Sequence, residues 1–307
     1  MPVMNKEKSY GLQSEVERLD AEDSERFAAL CQESSQPVIL SGGALAWPAL
    51  EKWTPDYFRR RFASQRVRPS LQLPAYGAPY FSTEKHHRRE MYLSEFIDIL
   101  ESGDACYVDQ TDVHSFSGLE EDYCYQQFIS PGVNFTSLWI GSKTRSGLHY
   151  DNMDNLFVQV YGEKKAILLA PQEARNLYPF GDCISKSRVD PERPDLMHYP
   201  RFAKAKTLTA RLQPGDILFF PRGWWHHFSS TGPSISLSCW YGAPLTIAEQ
   251  ARGVNLAGRH LWFRILRDFL WHGVLGRAYN QRLFSTPPTG KLLYDLLFAP
   301  KRLTKTE

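Results

Sequence analysis

The chain has 307 residues, 42% of them hydrophobic and 13% aromatic with eight Trp, enough for one large domain or one domain plus an appendage. A net charge of +2 is too small to make nucleic acid the expected main partner. Residues 1–24 are polar and charged, without the apolar core of a signal peptide, and no run is long enough to span a bilayer. The five Cys are scattered, odd in number and lack a CxxC pair, which favours reduced thiols and a cytoplasmic protein over a disulfide scaffold.

In chain order, residues 23–32 are predicted helical, with Asp23 or Ser24 as N-cap. Residues 37–40 read as a short buried strand closed by Ser41-Gly42-Gly43. Thr54-Pro55 opens a second helix, with Pro in its first turn. Residues 64–90 read as loop, and residues 92–100 as a helix with Leu93, Phe96, Ile97 and Leu100 at helical spacing. From Cys106 the pattern changes to short strands, predicted over 106–109, 137–141, 156–161, 165–169, 207–212, 216–220 and 234–240. Such spacing indicates a sandwich or barrel, mainly β with flanking helices. An insertion over 178–206 carries Pro179, Pro191, Pro194 and Pro200 and reads as ordered loop.

After Pro244 the chain turns helical. Residues 256–277 are apolar on nearly all sides (Leu261, Trp262, Phe263, Ile265, Leu266, Phe269, Leu270, Trp271, Val274, Leu275), so this helix is expected to be buried, within the monomer or in a homodimer formed through the C-terminal helices. Residues 246–307 hold ten Lys/Arg against four Asp/Glu, +6, which leaves −4 for the remainder. A basic tail can lie on a membrane or nucleic acid, but its narrow polar face favours a packing or dimerisation element.

The chemistry concentrates in two stretches. In Gly147-Leu148-His149-Tyr150-Asp151, residues i and i+2 of a strand point to one face, so His149 and Asp151 can aim at one ion. Gly215-Asp216 then starts the strand Ile217-Leu218-Phe219-Phe220, Pro221 ends it, and Trp224-Trp225 leads to His226-His227. Two His and one carboxylate are the protein ligands of a non-heme Fe(II) site, and three such ligands leave three octahedral positions open. Each motif alone has an ordinary structural explanation, a salt-bridged His or a core His; together in strand contexts they point to a metal.

These residues resemble the JmjC-type, cupin-like 2-oxoglutarate oxygenases, most closely the factor-inhibiting-HIF asparaginyl hydroxylase group. His149-Tyr150-Asp151 followed by Asn155, Phe157, Gln159, Gly162 and Lys164 is similar to that group's spacing after its HxD motif. Arg188-Val189-Asp190, Pro194-Asp195 and Tyr199-Pro200-Arg201-Phe202 resemble its insertion, and the run from Pro214 to Pro221 with Trp224-Trp225-His226-His227 its distal-His segment. The resemblance, over about residues 107–244, implies a double-stranded β-helix (cupin, jelly-roll) barrel, Fe(II) as cofactor, and 2-oxoglutarate and O2 as co-substrates. It implies His149, Asp151 and His226 as catalytic metal ligands, with Lys164 rather than Lys165 gripping the far carboxylate of 2-oxoglutarate. It further implies Tyr107, Ser146 and Asn155 beside the co-substrate. Ser146 stands for the group's Thr, and Ser238 for an Asn, a change in the pocket wall. The chain divides accordingly into N-terminal helices and strands packing on the barrel (1–105), a barrel core (106–245) and a C-terminal helical region (246–307).

The activity so implied is hydroxylation of an unactivated C–H bond on a protein or peptide side chain, favoured by the long loops over 74–92 and 178–206. The alternatives are tailoring of a small molecule or carrier-bound amino acid, N-methyl demethylation, and a non-catalytic cupin-like binding module.

Overall fold

A computed structural model of the chain describes residues 12–33, 35–72, 87–129, 133–279 and 287–298. Fifteen strands are found among them. They are β1 (Leu12–Glu15), β2 (Glu17–Asp20), β3 (Val38–Ser41), β4 (Arg66–Val67), β5 (Ser70–Leu71), β6 (Met91–Tyr92), β7 (Cys106–Asp112), β8 (Val133–Ser142), β9 (His149–Tyr150), β10 (Asp154–Tyr161), β11 (Lys164–Leu169), β12 (Lys206–Leu212), β13 (Ile217–Phe220), β14 (Trp225–Ser229) and β15 (Ser234–Tyr241). One sheet runs β1-β12-β11-β14-β9 and the other β2-β3-β13-β10-β15-β8-β7-β5, with β4 and β6 paired apart. The two large sheets are the halves of a cupin-like jelly roll.

Alternation within the strands assigns the two faces. On β15, Ile235, Leu237, Cys239 and Tyr241 join Leu156, Val158 and Val160 of β10 and Leu138 and Ile140 of β8 in the core outside the large sheet. Helices α1 (Ser24–Glu33), α2 (Pro48–Lys52), α3 (Pro55–Phe62) and α4 (Leu93–Glu101) cover that face; Phe27, Ala49, Phe58 and Phe96 are their buried contributions. The intervening residues face the barrel interior, where Phe157, Ala166, Leu168, Leu218, Phe220 and Phe228 form a separate core. Behind the small sheet, Leu148, Ile167 and Trp225 pack against the insertion and the C-terminal helices.

The predicted helices appear over the predicted stretches, and Thr54 caps α3 by accepting from Tyr57 N at 3.1 Å. The strand pattern from Cys106 is also as read, with ends differing by a few residues. The short β1 and β2 were not foreseen: they carry charged residues and are strands because β12 and β3 offer parallel partners. β14 was missed too, since it contains two His, while the strand alternation read for His149 and Asp151 covers only the two residues of β9, with Asp151 just beyond it. The insertion is loop, as predicted, apart from a 3-10 turn at Pro200–Lys204. Part of the 64–90 loop prediction, residues 73–86, lies outside the described residues.

The C-terminal expectation needs correction. Residues 256–277 are not one buried helix: α5 (Ile247–Ala257) ends at Gly258, whose φ of +146° breaks the register, and α6 (Leu261–Asp268) continues into a π-helical turn at Phe269–Val274. Leu261 and Ile265 pack inward, whereas Phe263, Leu266, Leu270, Trp271, Val274 and Leu275 are exposed, Phe263 by 78%. Apolar composition all round therefore does not translate into burial within this chain. Among the described residues, no helix is long and apolar enough to cross a membrane.

The turn that presents Lys164 depends on Gly162 at φ +68°, where an added Cβ would run into the Pro233 carbonyl. Gln159 secures this turn from inside the barrel, donating to Tyr161 O at 2.8 Å and Gly162 O at 3.0 Å while Ser236 Oγ donates to its Oε1 at 2.9 Å. Gly162→Ala is expected to destabilise the fold by about 1–3 kcal/mol from backbone strain alone, with the clash in addition. Urea denaturation measures this; an unchanged midpoint would contradict the account.

Candidate metal centre

The site is built on a strand of only two residues. β9 pairs antiparallel with β14 so that His149 lies directly opposite His226. Directly opposed residues share a face, and the two imidazole centroids are 4.2 Å apart. Asp151 follows just beyond β9, its own carbonyl accepting from Gly223 N at 2.9 Å. The carboxylate then lies 3.9 Å from His149 Nε2 through Oδ1 and 3.7 Å from His226 Nε2 through Oδ2. One ligand atom from each of the three residues lies within 4.8 Å of the others, so they can hold a metal ion.

Hydrogen bonding prepares both rings for that role. His149 Nδ1 faces Gly147 O at 2.8 Å and His226 Nδ1 faces Trp224 O at 3.1 Å. A carbonyl only accepts, so each Nδ1 carries the proton and each Nε2 keeps a lone pair towards the cluster. Burial lowers the pKa of both, that of His226 to about 4 with the neighbouring His149 as the next cause. For Asp151, burial acts upward but is outweighed by the two His and by donors from Trp240 and Asn155, and its pKa is lowered. Neutral imidazoles beside an ionised carboxylate are the protonation states a divalent cation requires.

The remaining predicted residues gather around this point. Tyr107, Ser146, Asn155, Phe157 and Ser238 line one cavity with the three candidate ligands. Ser146 Oγ accepts from Phe228 N at 2.8 Å, which ties the residues before β9 to β14. Lys164 reaches in from β11, 2% exposed, and donates to Tyr107 OH at 3.4 Å. Burial pushes its pKa down to about 7, and among the described residues no carboxylate pairs with it. Lys165 instead lines a different cavity with Gln13, Glu15 and Arg18. Asn155 Oδ1 and Trp139 Nε1 are buried without a hydrogen-bond partner among the described residues. A buried cation and polar groups without partners are costly unless a polar guest satisfies them. An anionic, polar guest would satisfy that set.

Two features were not apparent from sequence. Trp240, on β15 of the opposite sheet, donates its indole N–H to Asp151 Oδ2 at 2.8 Å; only the three-dimensional closeness of the sheets reveals it. The second is a buried ionic clamp: Arg145 reaches Asp190 Oδ1 at 2.6 Å and Glu192 Oε2 at 3.2 Å. Glu192 also accepts from Ser229 Oγ at 2.8 Å and lies 3.5 Å from His227 Nε2. Burial would raise the Glu192 pKa, but His227, Ser229 and Arg145 hold it well below the usual carboxylate range. His227 thus faces Glu192 of the insertion, and Ser229 fastens that residue to β14.

Comparison with known proteins agrees with this architecture. Residues 24–246 match the cupin-like domain family, and the chain belongs to that family. It is 32% identical to Jumonji C domain-containing protein 5 of Drosophila melanogaster, an alignment covering 74% of this chain and 60% of that protein. It is 30% identical to Lysine-specific demethylase 8 of Xenopus tropicalis, covering 78% and 54%. Similarity to tRNA wybutosine-synthesizing protein 5 of Gallus gallus is 30% identity, covering 74% and 77%. The chain thus spans little more than half the length of the first two. These relatives support the broad JmjC-type, cupin-like assignment; none of the three is named an asparaginyl hydroxylase.

Trp240→Phe keeps the aromatic ring and removes the donor to Asp151. It is expected to weaken Fe(II) binding about tenfold or more, with an unchanged far-ultraviolet spectrum. Anaerobic metal titration checks this, and wild-type affinity in the variant would remove Trp240 from the site's support.

Proposed function

We propose that the chain is an Fe(II)- and 2-oxoglutarate-dependent dioxygenase that hydroxylates an unactivated C–H bond, on a protein or peptide side chain. The observation that carries this reading is the pairing of a His149–Asp151–His226 cluster with a buried lysine, Lys164, that no carboxylate among the described residues neutralises. His149, Asp151 and His226 would hold the iron, and Lys164 and Tyr107 the distal carboxylate of 2-oxoglutarate, with Ser146 and Asn155 beside it. When bound, the iron and 2-oxoglutarate supply the oxidising chemistry: O2 is consumed, succinate and CO2 are released, and one oxygen atom goes to the substrate.

The chain's own residues bind, orient and exclude water. Trp240 holds one oxygen of Asp151, which favours single-oxygen ligation and spares the open positions. Phe157, Phe220 and Phe228 wall the cavity from inside the barrel. Trp240 stacks on Phe135 and packs 6.2 Å from Trp139, forming an aromatic side to the cavity. Motif spacing supports placing the chain near the asparaginyl hydroxylases, with Ser238 as a point of departure. The relatives' names widen the substrate field to N-methyl lysine and tRNA, and hydroxylation of a methyl carbon is the same reaction at a different C–H bond. A non-catalytic module is disfavoured, since nothing in a mere scaffold offsets the cost of burying Lys164. The exposed row Phe263, Leu266, Leu270 and Trp271 supports a second copy as partner of the C-terminal helices; a monomeric mass by light scattering would end that part of the reading.

Purified His149→Ala and Asp151→Ala are each expected to lose Fe(II)-dependent succinate release, including turnover uncoupled from substrate; retained release in either would sink the assignment. A second expectation concerns pH. Lys164 with a pKa of about 7 is protonated below that value and neutral above it, and only the cation attracts the distal carboxylate. Affinity for 2-oxoglutarate should therefore weaken about tenfold per pH unit above neutrality, with proton uptake on binding. Calorimetry from pH 6.5 to 8.5 tests the slope, which Lys164→Met should abolish; a flat wild-type profile would rule out Lys164 as the anchor.

A further inference from the structure

Two basic segments far apart in sequence meet at a second cavity. It has a volume of about 230 Å³ and shares no lining residue with the metal centre. Arg188 and Arg201 come from the insertion, His260 and Arg264 from the C-terminal helical region, and Tyr178 and Tyr199 stand beside them. No Asp or Glu lines it, and among the described residues none of the three Arg has a carboxylate partner. Some arginines elsewhere are paired, Arg145 with Asp190 and Glu192, Arg59 with Asp98 and Glu101, Arg222 with Glu249. Three guanidinium groups gathered without a counter-charge repel one another, and an anion between them removes that cost.

The stems of these side chains are held in place. Arg201 stacks 4.0 Å over the Tyr178 ring and donates through Nε to Arg175 O at 3.0 Å; its backbone N–H donates to Tyr178 OH at 2.9 Å. Arg188 lies 4.8 Å over the Phe180 ring. Arg264 crosses Gly181 so closely that a Cβ there would collide with it. These contacts fix the Arg188 and Arg201 guanidinium groups at the wall of one cavity with Arg264, and guanidinium groups are suited to phosphoryl oxygens.

We propose that this cavity binds a phosphate group, borne by a small phosphorylated compound or by a polynucleotide backbone. The site works independently of metal and turnover, so its test does not depend on the oxygenase reading. The full chain is titrated with sodium pyrophosphate by calorimetry and with a labelled short single-stranded RNA by anisotropy, and hexaglutamate serves as a non-phosphate anion. At least one phosphate probe should bind about tenfold tighter than hexaglutamate, and Arg188→Ala/Arg264→Ala should lose about tenfold per guanidinium removed. Saturation by pyrophosphate identifies a small ligand. Binding of RNA alone, weakening steeply with salt, identifies the polymer. Arg264→Lys keeps the charge but loses the fork, so a folded variant with several-fold weaker binding supports the site even if the double variant misfolds. Absence of binding by both phosphate probes, equal binding of hexaglutamate, or wild-type affinity in the folded double or Lys variant would overturn it.

Discussion

The structure depends most on one cross-strand pair, His149 opposite His226. β9 contributes only two paired residues, so its register rests on little backbone hydrogen bonding of its own. A slip by one residue would turn Tyr150 inward and both His149 and Asp151 away from the cavity. The register is held from outside the pair: Tyr150 N donates to Ser185 O at 3.0 Å and Ser187 N to Leu148 O at 2.9 Å, which makes the insertion a second partner of β9. The Arg145–Asp190–Glu192 clamp then binds that insertion to the residues preceding β9 and to β14. Loop residues thereby do for β9 what a longer strand would do for itself.

Buried charge is treated in two opposite ways within this small volume. Around Arg145 the guanidinium, two carboxylates and Ser229 satisfy one another, so the cost of desolvation is offset locally and the clamp stays shut. Among the described residues Lys164 meets the Tyr107 hydroxyl at 3.4 Å and the Tyr107 and Phe157 rings at 5.3 Å. The first cluster is neutralised within the chain, whereas Lys164 meets no carboxylate among the described residues.

Much of the site was legible because strand alternation is a local rule. His149 and Asp151 share a face as their spacing requires, and the strands from Cys106 onward follow the pattern of apolar residues. What escaped reading was whatever a partner strand or sheet decides. β1 and β2 are strands because β12 and β3 offer free edges, and Trp240 meets Asp151 because two sheets close on each other. The C-terminal stretch misled for a related reason. Apolar residues on every side predict burial only if something covers them, and Gly258 divides the stretch so that α6 turns Phe263 and Leu266 outward.

The same alternation links the C-terminal region to the metal centre. Each inward ligand is flanked by a residue on the outer face: Tyr150 beside His149 and Asp151, Trp225 beside His226. Those two rings meet edge to face at 4.9 Å. Trp225 is buried in the core that also contains Val254 and Ala257 of α5 and Leu261 and Ile265 of α6, with Tyr150 packed against it. The helices therefore support the ligand strands from behind, one side chain removed from the cluster. A close-packed interior transmits small displacements, so disturbance of α5 or α6 reaches His149 and His226 through Tyr150 and Trp225 before it reaches the rest of the barrel. On this geometry the region after Pro244 is part of the apparatus that positions the candidate ligands, although none of its residues lines the cavity they share.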